Sequence, residues 1–322
     1  MNKTLFLGAA LIVMTVGSTG VNAEKTDIPL AGKTYTVSGV SFTMITIPAV
    51  TDGTLGYGEY DVNPAHTVSL PTYRIGETEV TQELWQAVMG NNPSGFNGND
   101  EETKPVGGEE QKRRPVEMIN WYQAIAFCNK LSLKLGLEPC YAVTVKGKPI
   151  DFASLPFDKI PSEKYMSEKE TAVKAWDAVT VDISKNGFRL PSEAEWEWAA
   201  KGGAESRWAG TDNEEEVDRY MWHDGNSENR THEVKKLKPN GYGLYDMSGN
   251  VWEWCWNRFK DFLPDSLVEA DIVDIDDIHD SCRVFRGGGI DTDIYNAALP
   301  VRLFYTPDFH AGSLGLRLAC RL

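Results

Sequence analysis

The side chains best suited to chemistry are five cysteines, at 128, 140, 255, 282 and 320, and five histidines, at 66, 223, 232, 279 and 310. Thiolates bind soft metals or attack electrophiles, and imidazoles bind metals or carry protons, but each needs partners at close, regular spacing. No CxxC occurs and the histidines are scattered, so neither a zinc nor a non-haem iron centre is expected. In an oxidising compartment the odd cysteine count allows at most two disulfides and leaves one thiol, and Cys128 and Cys140 are near enough in sequence to pair. The histidines read as hydrogen-bonded surface groups. The run Asp271 to Asp280 has the acidity of a calcium loop, but an EF-hand starting at Asp274 would need a glutamate where Phe285 stands. It reads as a solvated acidic loop.

The elements that must position these groups are short. From Tyr35 to Pro71 apolar residues alternate with polar ones, as in Val37, Phe42, Met44, Val68 and Leu70, which predicts strands. Thr81 caps a predicted helix with Leu84, Trp85, Val88 and Met89 on its inner face, ended by Gly90. Asn120 with Gln123 starts a second, which buries Ile125, Cys128 and Leu131 and stops at Gly136. Ser192 and Glu195 form the capping box of a third, with Trp196, Ala199 and Ala200 inside and Gly202 beyond. Lys146 to Asp182 reads as a surface excursion. After Gly203 helical period vanishes, which predicts loop-rich β structure.

The 322 residues carry a net charge of −15, and such a surface repels nucleic-acid phosphates, so no nucleic-acid partner is expected. Met1 to Lys3, the apolar stretch Leu5 to Val16 and Val21-Asn22-Ala23 read as a signal peptide over 1–23. A single domain over 24–322 follows, exported to the periplasm, the cell surface or the medium. No later run approaches the roughly 18 apolar residues of a membrane helix.

Several fixed phrases then occur in order: HTVSL at 66–70, GETEVT at 76–81, FRLPSEAEWE at 188–197, NGYGLYDMSGNVWEW at 240–254, RVFRGG at 283–288 and GLRL at 315–318. The chain resembles the formylglycine-generating-enzyme (sulfatase-modifying factor) family over nearly its whole length. The resemblance implies an α+β fold of C-type lectin type: a small antiparallel sheet, two or three helices and long ordered loops. It also implies a structural calcium, with the carboxylates of Asp246 and Glu253 and the carbonyls of Gly249 and Val251 as ligands. The alternative is that Asp246 caps a turn and Glu253 pairs with an arginine. Enzymatic members hold copper on a cysteine pair between the Gly-Gly pair and the closing strand. Here residues 289–314 contain no cysteine, so neither copper nor oxidase activity is expected.

Composition adds a second signal. Trp, Gln, Glu, Lys and Met occur 66 times in residues 1–269 and never in 270–322, where about eleven would be expected at the chain-wide rate. Those five are common residues that an AAY asparagine codon cannot become when its adenines are replaced. Such a gap resembles the variable proteins of diversity-generating retroelements; chance depletion in a β-rich tail is the alternative. The variable region would be 283–322, and its ligand-binding residues Ile290, Asp291, Thr292, Asp293, Tyr295, Asn296, Leu303, Phe304, Tyr305, Phe309 and His310. Two functions follow: an exported, non-catalytic protein that binds an extracellular protein or glycan, or a formylglycine-type oxidase or maturation factor using another centre.

Overall fold

The computed structural model describes residues 30–57, 63–162, 170–259 and 281–322. The expected signal peptide, the start of the domain before residue 30 and the acidic run 271–280 lie outside the described residues.

Strands β1 (Gly32–Val37) and β2 (Val40–Ile47) form a hairpin whose turn residues Ser38 and Gly39 both take positive φ, 49° and 83°. That is the turn whose twist suits a tight antiparallel pair. A second antiparallel pair, β3 (Val50–Leu55) with β4 (His66–Leu70), follows. Next come β5 (Tyr73–Gly76) and the small strands β6 (Tyr141–Ala142), β7 (Thr144–Val145), β8 (Lys148–Pro149) and β9 (Thr180–Val181). With β10 (Phe188–Arg189) and the last strand β15 (Ala319–Arg321), the main sheet has order β1-β2-β5-β15-β10. The final strand therefore lies between segments from the first and second thirds of the chain.

Helices α1 (Gln82–Met89) and α2 (Trp121–Lys134) begin at Thr81 and Asn120 with the capping bonds read from sequence. They pack through Trp85 stacked on Phe127, ring centroids 4.9 Å apart. Residues 146–182 are more than an excursion: α3 (Glu170–Asp177) places Trp176 in the main core with Phe152 and Ile160. Helix α4 (Glu193–Lys201) has the Ser192–Glu195 capping box and ends at Gly202, φ 59°.

The second sheet has order β13-β12-β11-β14, from β11 (Trp252–Arg258), β12 (Arg283–Arg286), β13 (Leu303–Tyr305) and β14 (Leu314–Leu316). Here β11 and β14 run parallel, with Trp252 opposite Leu314 and Trp254 opposite Leu316. The remaining pairs in both sheets are antiparallel. Among the described residues the result is the expected loop-rich α+β architecture, with a fourth helix and one parallel pair added.

Candidate functional site

The stretch 290–311 leaves β12 through Gly287 and Gly288, at φ 105° and 84°. A Cβ on Gly288 would lie 2.5 Å from that of Ala297, so only glycine lets the chain fold back here. Glu193 and Glu197 lie one turn apart on the inward face of α4. Arg286 donates to Glu193 Oε1 and Glu197 Oε2, 2.6 Å each, and to the Leu299 carbonyl at 2.6 Å. Arg302 reaches Glu193 Oε1 at 2.5 Å, while the Asn63 amide donates to both Glu197 and the Pro300 carbonyl. All four charged groups are buried, and each is paired with an opposite charge of the same cluster. Burial works against the Glu197 charge, but Arg286 and the Gly56 amide hold its carboxyl below the ordinary range.

Above this frame the side chains divide. Asp293 turns the backbone by accepting from the Tyr295 and Asn296 amides at 2.9 and 3.1 Å. Hydrogen bonds, first from the Asn296 side chain, hold its carboxyl below the usual range. Asp291, Tyr295, Asn296, Leu303 and Tyr305 are exposed; Asp293, Phe304, Phe309 and His310 are half-buried. Strand alternation on β13 turns Leu303 and Tyr305 outward and lays Phe304 against Phe259 at 3.7 Å. Tyr305 also packs on Phe309 at 4.0 Å. Ile290 and Thr292 correct the sequence reading, because both are buried braces. The Ile290 carbonyl accepts from Ser227 Oγ, and Thr292 Oγ1 accepts from Trp252 Nε1 and the Gly289 amide. Five large hydrophobic side chains stand out as exposed among the described residues, and Tyr295 (52%), Leu303 (42%) and Tyr305 (51%) are three of them.

The calcium ligand set does not fit the arrangement found. Glu253 is fully buried and accepts from Arg317 at 2.7 and 3.0 Å and from Trp196 Nε1 at 2.6 Å. Asp246 Oδ2 takes the Lys235 amide, and the Val251 amide donates to Glu79. Gly249 is in close contact with the Trp222 backbone, since a Cβ there would be 2.1 Å from its carbonyl oxygen. Of the two carboxylates, Asp246 alone has an oxygen without a partner, Oδ1, and a calcium ion would have to displace the Arg317 guanidinium from Glu253. Burial and neighbouring carboxylates push Glu79 well above its ordinary value, and burial pushes Asp246 up to about 6.

The cysteine expectation also changes. None of the five is in a disulfide and all are buried; burial raises the Cys128, Cys140, Cys255 and Cys320 thiols. Nor are the histidines all surface groups. His232 is buried against Trp222, rings 3.7 Å apart, between Glu109 and the Ser227 carbonyl, and His223 is buried beside Asp218. One hollow of about 480 Å³ is lined by glycines with Lys201, Tyr220, Lys238 and Asn240. A smaller one of about 190 Å³ is lined by Glu77, Glu79 and Glu83. Their carboxylates are taken by Lys235, by Asn250 with the Val251 amide, and by Lys112 with Arg113.

Sequence reasoning missed Glu193 and Glu197. The signal was present: 193, 196, 197 and 200 share one face of a capped helix, so both carboxylates had to point inward with Trp196.

A family model described as a sulfatase-modifying factor enzyme 1-like domain matches residues 33–322. The chain belongs to that family. A solved structure of Treponema denticola variable protein 1 is similar, with 51% identity and a TM-score of 0.80. The match covers 90% of this chain and 99% of that one. The chaperone protein LppX of Paenibacillus barcinonensis is 37% identical over 77% of this chain and 78% of its own length. The formylglycine-generating enzyme of Streptomyces coelicolor is 36% identical over 45% of this chain, which spans half of that enzyme. No helix among the described residues is long and apolar enough to cross a membrane.

Proposed function

We propose that this chain is an exported, non-catalytic binding protein whose contact surface is the stretch 290–311, diversified by a retroelement and carried on a lectin-type frame. One coincidence carries the reading. The segment 270–322, which lacks Trp, Gln, Glu, Lys and Met, also contains Tyr295, Leu303 and Tyr305, exposed above buried arginine–carboxylate pairs. Rings supply large contact area at small entropic cost, and short polar groups such as Asp291 and Asn296 orient it. A frame tied by Arg286 and Arg302 lets surface side chains change without unfolding the loop beneath them. Similarity to a variable protein supports this reading, and a relative named a chaperone suits a protein ligand.

The test is binding to arrays of extracellular proteins and glycans. Tyr295→Ala with Tyr305→Ala should weaken the captured ligand by at least about tenfold. Leu133→Ala, an exposed apolar residue on α2, should not. Equal loss in both variants would overturn the proposal. So would conversion of a sulfatase-peptide cysteine to an aldehyde by the purified protein, which would support the oxidase reading. An imperfect repeat of the 3′ coding end in the flanking DNA, differing only at adenines, is the expected sign of diversification.

A further inference from the structure

The surface around Tyr295 is bordered by a segment outside the 270–322 region. Residues 205–228 are tied to it at five points: Trp208 Nε1 donates to the Ile294 carbonyl, Ser227 Oγ to the Ile290 carbonyl, Leu299 N to the Arg207 carbonyl, Asp224 N to the Thr292 carbonyl, and Tyr295 Oη to Glu214 at 2.9 Å. This bordering segment contains eight carboxylates and two arginines. Seven of the carboxylates belong to exposed residues; Glu216 is paired with Arg219 and Glu205 with Lys201, and Asp218 and Asp224 flank the His223 ring. The stretch 290–311 itself adds Asp291, Asp293 and Asp308 and no lysine. The only arginine in 290–311, Arg302, is buried on Glu193.

The docking surface therefore combines exposed aromatic anchors with a negative border along its 290–299 side. We infer that its occupant is a lysine- and arginine-rich protein surface, which deepens the binding reading above and rests on it. A cationic patch gains from the border at every register, whichever side chains the stretch presents. Anionic glycans and acidic proteins are repelled, and neutral glycans gain nothing from the charge. Because the border lies outside the compositional gap, it would fix the class of partner while 290–311 selects the individual.

The probes are matched peptides of one length, all carrying tyrosine and phenylalanine, with either lysine and arginine or aspartate and glutamate at the remaining positions, and neutral glycans on the same surface. The full chain should be retained by the basic peptides alone. That affinity should fall about tenfold between low and physiological-plus salt, since exposed charges beyond a Debye length of about 8–10 Å are screened. Neutralising the border with Glu214→Gln, Asp218→Asn and Asp224→Asn should weaken retention by at least about tenfold. A control with the same change in net charge elsewhere, Glu101→Gln, Glu102→Gln and Asp158→Asn, should change it less than about twofold. Equal loss in the two triples would reduce the effect to net charge and overturn the inference. Retention of acidic peptides or glycans, or of nothing, would do the same. If border neutralisation has no effect but Tyr295→Ala with Tyr305→Ala abolishes binding, this inference fails while the binding function stands; if neither matters, both fail.

Discussion

Buried carboxylates that lack a full ionic partner set the acid–base behaviour of single residues. Glu117 is wholly buried, and its oxygens accept from the Gly95 and Phe96 amides at 2.9 and 3.0 Å. Burial outweighs those bonds and raises it to about 7. Between about pH 4.5 and 7 the folded chain then keeps a proton that the unfolded chain has released. Stability from this group is full at the acidic end and falls as pH rises through that window, by roughly 3 kcal/mol, with little change above it. Asp246, also raised, slopes the same way. Glu117→Gln keeps an acceptor for one amide and removes the titration. Denaturant midpoints at pH 5 and pH 8 should differ less in that variant than in the parent chain; an unchanged difference would show that Glu117 is ionised throughout.

At the scale of elements, loops do what long strands do elsewhere. The turn before β11 brings Gly249, at φ 81°, against the Trp222 backbone, where its amide donates to the Gly287 carbonyl at the root of the exposed stretch. Any side chain there meets backbone rather than a yielding side chain. Gly249→Ala should cost about 3 kcal/mol or more, read by chemical denaturation. By comparison, Gly90→Ala, at a helix end with open space around it, should cost only about 1 kcal/mol. Equal losses would mean that the loop can shift away from Trp222. The three caps at Thr81, Asn120 and Ser192 were legible in sequence because a cap is a local hydrogen bond between residues three apart. The parallel pairing of β11 with β14 was not, since it joins strands about sixty residues apart and leaves no local period.

For the whole molecule, the sum of charges matters more than any one. Inside a protein of net charge −15, several buried carboxylates are paired with arginine: Glu195 with Arg189, Glu193 and Glu197 with Arg286, Glu253 with Arg317. These pairs hold the two sheets, α4 and the exposed stretch in one body. Because Arg317 already neutralises Glu253, millimolar calcium against a chelator should move the melting temperature by less than about 1 °C; a rise of several degrees would show linked binding and restore the ligand set expected from sequence.

Sequence by itself determined the family, the lectin-type class, the helix caps and the stretch that differs in composition, because these rest on local chemistry or on phrases of contiguous residues. Tertiary structure decided which side chains of that stretch face water, that Ile290 and Thr292 brace it, that Glu253 meets Arg317, and that residues 205–228 border it. The reason is physical: burial and charge pairing depend on groups brought together from distant parts of the chain, such as Glu253 and Arg317, and no local pattern encodes those distances.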